Sequence, residues 1–388
     1  MTTFPKVPLG SLVKIVRGIS YKSSELADSD KGVPMVNLRN VGKGGGFRED
    51  GLKYYTGEFK STQVLNPGDL ILANTDLSKA KDVLGSPFLV PASISGAVLS
   101  LDLSKLVPDE SVIDKRFLNY FLQSPEAREF MKTHGQGITV MHLRMTALPG
   151  LQVPVPPLDE QRSIVETLDN HLSRLDKALV ECSNARSSLT LFERAIIHEA
   201  FSSEAVDSEM VDFKHFFNVL QPKFEGYKQK DYLAEGKLPI IDQGNALIGG
   251  YVDEMTRRIE TQRPLVIFGD HTRCVKFVDF SFAIGADGTK MLEPAENVEP
   301  RFAYWQLRGT KLRNRGYARH MGELRQARFW LPQASTQKEI TQKVEQAFES
   351  SNQLRAHLEA QESAVDLMRR SILHAAFSGK MKGLKSNG

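Results

Sequence analysis

The sequence reads as an α+β chain with an internal pseudo-repeat: two mixed α/β globular domains of short strands, separated by two long helices that pack antiparallel as a coiled coil. Three observations predict this. From Asp159 to Ser202 the apolar positions Ile164, Leu168, Leu172, Leu175, Leu179, Cys182, Ala185, Leu189, Phe192, Ile196 and Ala200 keep a three-and-four spacing, the period of one helix face. A shift of 176 residues lays a second copy on the first without a gap, carrying Gln161 onto Gln337, Ile164 onto Ile340 and Leu191 onto Leu367. The stretches preceding the two copies also share an order of short apolar runs bounded by Gly and Pro.

Taken in order, residues 1–155 form the first globule. Its strand candidates are Val33 to Val36, Leu70 to Ala73, Phe88 to Val90 and Ala97 to Leu101, each a short run rich in branched residues between turn signals. Lys43 to Gly46 is a glycine-rich turn, and Asn66-Pro67-Gly68-Asp69 is a turn placed before a buried strand. Arg116 to Gln123 sets Phe117, Tyr120 and Phe121 on one side of a short helix, a second helix covers Glu126 to Thr133, and Gly135 to Thr139 is a loop. Residues 149–157, PGLQVPVPP, cannot be helical, because proline lacks the amide and pushes its predecessor into extended geometry.

The first long helix is assigned to residues 156–205, with Asp159 as N-cap. From Asp159 to Ser202, at about 1.5 Å per residue, it makes a rod of roughly 66 Å. Residues 206–332 are the second globule, in which Leu238 to Ile241 answers Val33 to Val36, Leu265 to Phe268 answers Leu70 to Ala73, and Arg301 to Gln306 answers Arg116 to Phe121. The second helix takes residues 333–383, capped by Ser335 or by a box of Thr336 and Glu339, and 384–388 are a disordered tail. Its seam is Ile340, Val344, Ala347, Leu354, Leu358, Val365, Met368 and Ile372, interrupted by Ser351 and Gln361. The copies end alike, RAIIHEAFS from Arg194 and RSILHAAFS from Arg370. A seam needs a partner, and each helix is the natural partner of the other.

With 388 residues the chain has room for two or three cores, and 41% hydrophobic with 25% charged residues is ordinary soluble composition. A net charge of +3 argues for nucleic acid only if cations are locally concentrated. Cys182 and Cys274 stand far apart outside any CxxC spacing, which fits a reducing cytoplasm. The start MTTFPKVPLG has no apolar signal core, and runs such as Pro264 to Phe268 are too short to cross a bilayer.

Two diverged globules alternating with two near-identical helices, each entered through a proline step and a Gln, resemble the specificity subunit of type I restriction-modification enzymes. The residues that carry the resemblance are VPVPPLDEQRSI, Val153 to Ile164, with WLPQASTQKEI, Trp330 to Ile340, as a weaker second copy. The resemblance implies that each globule is a target recognition domain reading one half of a split site in double-stranded DNA. It also implies that the helices act as spacer and dock two methyltransferase subunits. Restriction subunits, S-adenosylmethionine, ATP and magnesium would belong with partner chains, this chain binding no cofactor itself.

No catalytic motif accompanies this pattern: the sequence has no Asn-Pro-Pro-aromatic or Asp-Pro-Pro-aromatic tetrapeptide, no glycine fingerprint after a strand and no Walker lysine loop. Asp287-Gly288-Thr289-Lys290 reads better as a turn between strands than as half a nuclease site. His198 and His374 are equivalent by the repeat, yet each lacks a second ligand at i+4 and is better explained by a helix C-terminus than by a metal. Cys182 lies on the seam as a small core residue.

Cations carry the stronger signal. Between Arg301 and Trp330, Arg301, Arg308, Lys311, Arg313, Arg315, Arg319, Arg325 and Arg328 face a single acid, Glu323, and Tyr317, His320 and Gln326 are interleaved. That imbalance reads as a phosphate-contacting face with donors for base edges. The DNA-contact candidates in the second globule are Arg273, Arg313, Arg315, Arg319, His320 and Arg325, and in the first Lys43, Lys79, Lys81, Gln136, His142 and Arg144. The reading is therefore a non-catalytic DNA-recognition subunit; the rival is a coiled-coil scaffold whose globules bind protein.

Overall fold

Where the proline-rich connector ends, the chain turns helical at once. In a computed structural model the first long helix runs Leu158–Ser202 and the second Ala334–Phe377. The structure describes residues 4–28, 31–78, 80–202, 210–286, 288–313, 316 and 318–380; the expected tail at 384–388 lies outside them. Asp159 and Ser335 sit inside the first turns rather than capping them, because the Gln161 amide already bonds to the Pro157 carbonyl and the Gln337 amide to that of Gln333. There the Asp159 carboxylate still favours the positive helix end.

The chain divides into two units. One takes the residues up to Glu181 and from Gln361 onwards, the other Cys182–Ala360, so each unit holds a globule with the first half of one long helix and the second half of the other.

In the first unit, Val13–Arg17, Leu103–Pro108, Leu70–Ala73 and Pro87–Leu89 form a four-stranded antiparallel sheet in that order. Leu70 to Ala73 is buried at every position, as a central strand covered on both faces must be. A second sheet pairs Val33–Val36 parallel to Ala97–Leu99. Lys6–Pro8 pairs with Gln152–Pro154, which seats Pro154 of the connector in a two-stranded ribbon without inner ladder positions to break. The helices Lys115–Gln123 and Pro125–Thr133 cover the four-stranded sheet, their Phe117, Leu118, Phe121 and Met131 sharing a core with Leu70, Leu72 and Leu106.

The second unit repeats this plan. Phe217–Leu220, Thr289–Pro294, Leu265–Gly269 and Val275–Val278 form the four-stranded sheet, Leu238–Ile241 lies parallel to Ala283–Ile284, and Met210–Asp212 pairs with Arg328–Trp330. The helix Pro300–Gly309 stands where Lys115–Gln123 stands in the first.

The long helices join the globules through the same contacts in each unit. Phe377 packs edge-on against Phe117, with centroids 5.1 Å apart, and Phe201 against Phe302 at 5.4 Å. Arg116 pairs with Asp169, and Arg301 with Glu345. Since Phe201 and Phe377, like Asp169 and Glu345, are equivalent under the 176-residue shift, the near-identical helix ends are explained by identical docking sites.

The helices pack antiparallel within each unit. In the first, Asp176 pairs with Arg369, and Ile164, Leu168, Leu172, Leu373 and Phe377 share the globule's core, with Leu175 and Ile372 packed against it, Leu179 half-buried and Val365 buried. In the second, Arg186 pairs with Glu359, Cys182 and Leu189 pack with Leu358, and Ile197 meets Val344 and Phe348, with Ile196 and Ile340 at the margin. Three seam assignments are corrected: Phe192, Leu354 and Met368 are 52%, 46% and 55% exposed. The seam near Leu354 is polar instead. Ser351, buried, donates to Glu193 at 2.6 Å and Arg355 adds a bond at 2.8 Å, which turns Leu354 outward.

Candidate nucleic-acid interface

In the first unit the loop after the central strand is wound round one carboxylate. Asp76 is fully buried and accepts from the amides of Ser78, Val83 and Leu84 at 2.6, 2.8 and 2.9 Å. Asp82 ties the same loop to Ser78 and, at 3.2 Å, to the exposed Lys43. Burial pushes its carboxyl up, but the bonds from Ser78 and Lys43 win and hold it below the usual range. From behind, Arg128 donates to the Asp82 carbonyl at 2.9 Å. Burial pulls this guanidinium down to about 10, against the opposing pull of Asp76 and Asp82. Ser78 and the stretch from Asp82 to Leu84 are thus pinned, and this part of the loop serves as a platform. Lys81 stands exposed on it at φ 55°, a left-handed conformation that costs a non-glycine residue energy and is held here by its surroundings. Lys79 lies outside the described residues.

Beside the platform lies a three-stranded sheet of Gly135–Gln136, Met141–Leu143 and Thr75–Asp76. Gly135–Gln136, expected to begin a loop, is therefore the first strand of a hairpin. Its register sets Gln136 opposite His142 and His142 opposite Thr75, whose Oγ1 is 3.4 Å from the His142 ring. Gln136, His142 and Arg144 are all exposed. Five of the six first-globule candidates thus share one surface formed by the platform and this sheet.

The second unit anchors its corresponding loop on Asp270, whose carboxylate accepts from the amides of His320 and Met321 at 2.8 and 2.6 Å. This corrects one candidate. His320 is fully buried with Nδ1 2.9 Å from the Asp270 carbonyl, a structural pin and not a base reader. Arg273, at φ 61°, is half-buried and reaches the Leu312 carbonyl at 3.3 Å. Arg313, Arg319 and Arg325 are exposed on the segment tethered by Asp270 and by Glu323, which accepts from the Arg313 amide. Arg315 and Tyr317 lie outside the described residues, as does Asp287 of the DGTK stretch.

Several cations of the run between Arg301 and Trp330 are engaged within the protein. Arg301 is spent on Glu345 and stacks on Phe277, Arg308 lies over Trp305 and Phe348, and Arg328 donates to the Met210 carbonyl. A repeated feature of the helices escaped the sequence reading. Ser188, Leu191, Phe192 and Ala195 on one, and the equivalent Ala364, Leu367, Met368 and Ser371 on the other, are all exposed. Small, large, large, small at i, i+3, i+4 and i+7 makes an exposed apolar stripe along one face of each helix. The signal that could have found it is surplus: Leu191 and Leu367 are apolar positions beside the assigned seam, and Phe192 and Met368, assigned to the seam, are left exposed next to them.

His374 sits against Glu126 of its own unit. Among the described residues no group of three His, Cys, Asp or Glu side chains converges as a metal site, and no helix is long and apolar enough to cross a membrane.

Comparison with known proteins places this geometry. Residues 1–181 match the family model described as type I restriction modification DNA specificity domain. The chain is 27% identical over 195 residues to the EcoBI type I restriction enzyme specificity subunit of Escherichia coli, a match covering 50% of this chain and 38% of that one. It is 22% identical over 203 residues to the EcoKI specificity subunit of Escherichia coli K12, covering 52% and 43%. The matches therefore span less than half the length of these relatives. A solved chain from work on complex assembly and conformational transition of the type I R-M system superposes with a TM-score of 0.71 at 17% identity, covering 98% of this chain and 99% of that chain, which shows a shared fold.

Proposed function

We propose that this chain, whose residues 1–181 carry the type I restriction modification DNA specificity domain, is the DNA-recognition subunit of a type I restriction-modification complex. Each globule reads one half of a bipartite target in double-stranded DNA, and the paired helices set the distance between the halves. The chain has no catalytic part: methyl transfer from S-adenosylmethionine to adenine, and any ATP- and magnesium-dependent work of restriction subunits, belong to its partners, in the cytoplasm.

The observation that carries this reading is the contrast between frame and loops. The helix contacts recur at equivalent positions in both units, Phe377 on Phe117 and Phe201 on Phe302. The loops that follow the central strands differ in length and in their cations, Lys81 in the one after Leu70–Ala73 and Arg273 in the one after Leu265–Gly269. A common frame with two different faces suits two different half-sites. The repeated stripes at Leu191–Phe192 and Leu367–Met368 supply two equivalent places for two copies of one methyltransferase subunit.

Exchanging residues 1–150 for the corresponding region of a related protein, and mapping methylated adenines in the genome, tests it. One half of the motif is expected to change and the other to persist. A change in both halves, or a wild-type chain with no salt-dependent, sequence-selective retention of duplex, would favour the protein-binding scaffold instead.

A further inference from the structure

We propose that the hairpin of Gly135–Gln136 and Met141–Leu143 is a rigid probe whose tip residue, Ile138, reads a thymine of the target through the base's C5-methyl group. The inference rests on the DNA-recognition reading and adds to it one residue and one chemical feature of the base.

Ile138 is 97% exposed. A lone exposed isoleucine is ordinary on a protein surface, but the setting of this one is not. The strands beneath it are in register, Gly135 with Leu143 and Gln136 with His142. The turn is tight: Gly137 adopts φ +112°, and a Cβ there would come within 2.0 Å of the Val140 carbonyl oxygen. On the outer edge Met141 pairs with Asp76, the carboxylate that fixes the platform loop, and continuing that antiparallel register sets Leu77, 65% exposed, beside Val140. The sheet thus ends in aliphatic side chains on a backbone with little freedom to lose on binding.

On the hairpin and the adjoining loop the exposed polar side chains include Gln136, Thr139, His142, Arg144 and Lys81, all able to donate hydrogen bonds or carrying positive charge. Cations and amides suit phosphates and base edges, whereas a bare aliphatic tip has no use for either. In the major groove the aliphatic group that bases present is the thymine C5-methyl. An apolar tip ringed by donors is complementary to a thymine flanked by its own backbone.

The test uses the full chain with its methyltransferase partners and a target established by methylation mapping. Each thymine in the half-site read by the first globule is replaced in turn by deoxyuridine, which removes the methyl and leaves the pairing edge intact. Wild type is expected to bind about three- to fivefold more weakly at one such position. Ile138→Ala should show that same loss on the unmodified duplex and no further loss on the substituted one, with unchanged thermal unfolding. A wild type indifferent to every deoxyuridine, or an Ile138→Ala variant that still discriminates as wild type does, overturns this inference alone. A wild type that retains no duplex selectively overturns the recognition reading and this inference with it.

Discussion

Gln161 and Gln337 make the same three hydrogen bonds in the two units. Gln161 donates to the carbonyls of Pro156 and Val112 at 2.8 and 3.0 Å and accepts from the Asp114 amide at 2.7 Å. Gln337 donates to Pro332 and Asn297 at 2.8 and 3.1 Å and accepts from Glu299 at 2.8 Å. Asp114 and Glu299 are in turn the N-caps of the short helices that carry Phe117 and Phe302. One buried amide thus ties the start of each long helix to the helix that covers each globule's main sheet.

Removing that amide takes away the partner of one partly buried N–H and of two carbonyls in each unit. Gln161→Ala and Gln337→Ala are each expected to cost about 1–3 kcal/mol per group left unsatisfied, read as a lower urea midpoint. Gln161→Glu should be no rescue, since a carboxylate cannot donate to two carbonyls. Unchanged midpoints in both alanine variants would contradict this tying role.

Leu354 and Leu358 lie one turn apart, and the seam separates them: 46% exposed against 6%. Leu358→Asp buries an unpaired charge beside Cys182 and Leu189 and is expected to cost on the order of 3 kcal/mol. Leu354→Asp should cost about 0.5 kcal/mol or less. Equal losses in thermal denaturation would show that the outward turn at Ser351 does not hold in solution.

Glu193 gives the helix pair a pH dependence. Burial raises its pKa, but the bonds from Ser351 and Arg355 and the charges of Arg355 and Arg308 outweigh it and hold the carboxyl below its ordinary value. A depressed folded-state pKa contributes stability that is fully present above the unfolded value, about 4.3 for Glu, and is lost as pH falls through the folded one. Glu193→Gln should therefore be less stable than wild type at pH 6 and approach it below pH 4. A stability gap that stays constant across that range would rule out the ion pair as its source.

The duplicated stripes predict stoichiometry. Leu191→Glu or Leu367→Glu alone should leave one methyltransferase partner bound, and the double variant none, by light scattering of the assembled complex. Two partners retained by the double variant would place docking elsewhere.

The sequence alone determined what depends on local periodicity. The long helices, their equivalence under the 176-residue shift and the central strands Leu70–Ala73 and Leu265–Gly269 were legible because burial writes a period of 3.6 or an unbroken apolar run into neighbouring residues. The tertiary structure decided what depends on partners far away in the chain. Periodicity could not show that Ser351 would find Glu193 and push Leu354 out of the seam. Charge counting could not separate Arg301, paired with Glu345, from Arg319, left in solvent. Nor could it tell that His320 would be buried on Asp270, 50 residues earlier, while His142 stayed outside. A hydrogen bond or ion pair closes between residues the fold brings together, and its energy leaves no period in the stretch that supplies either end.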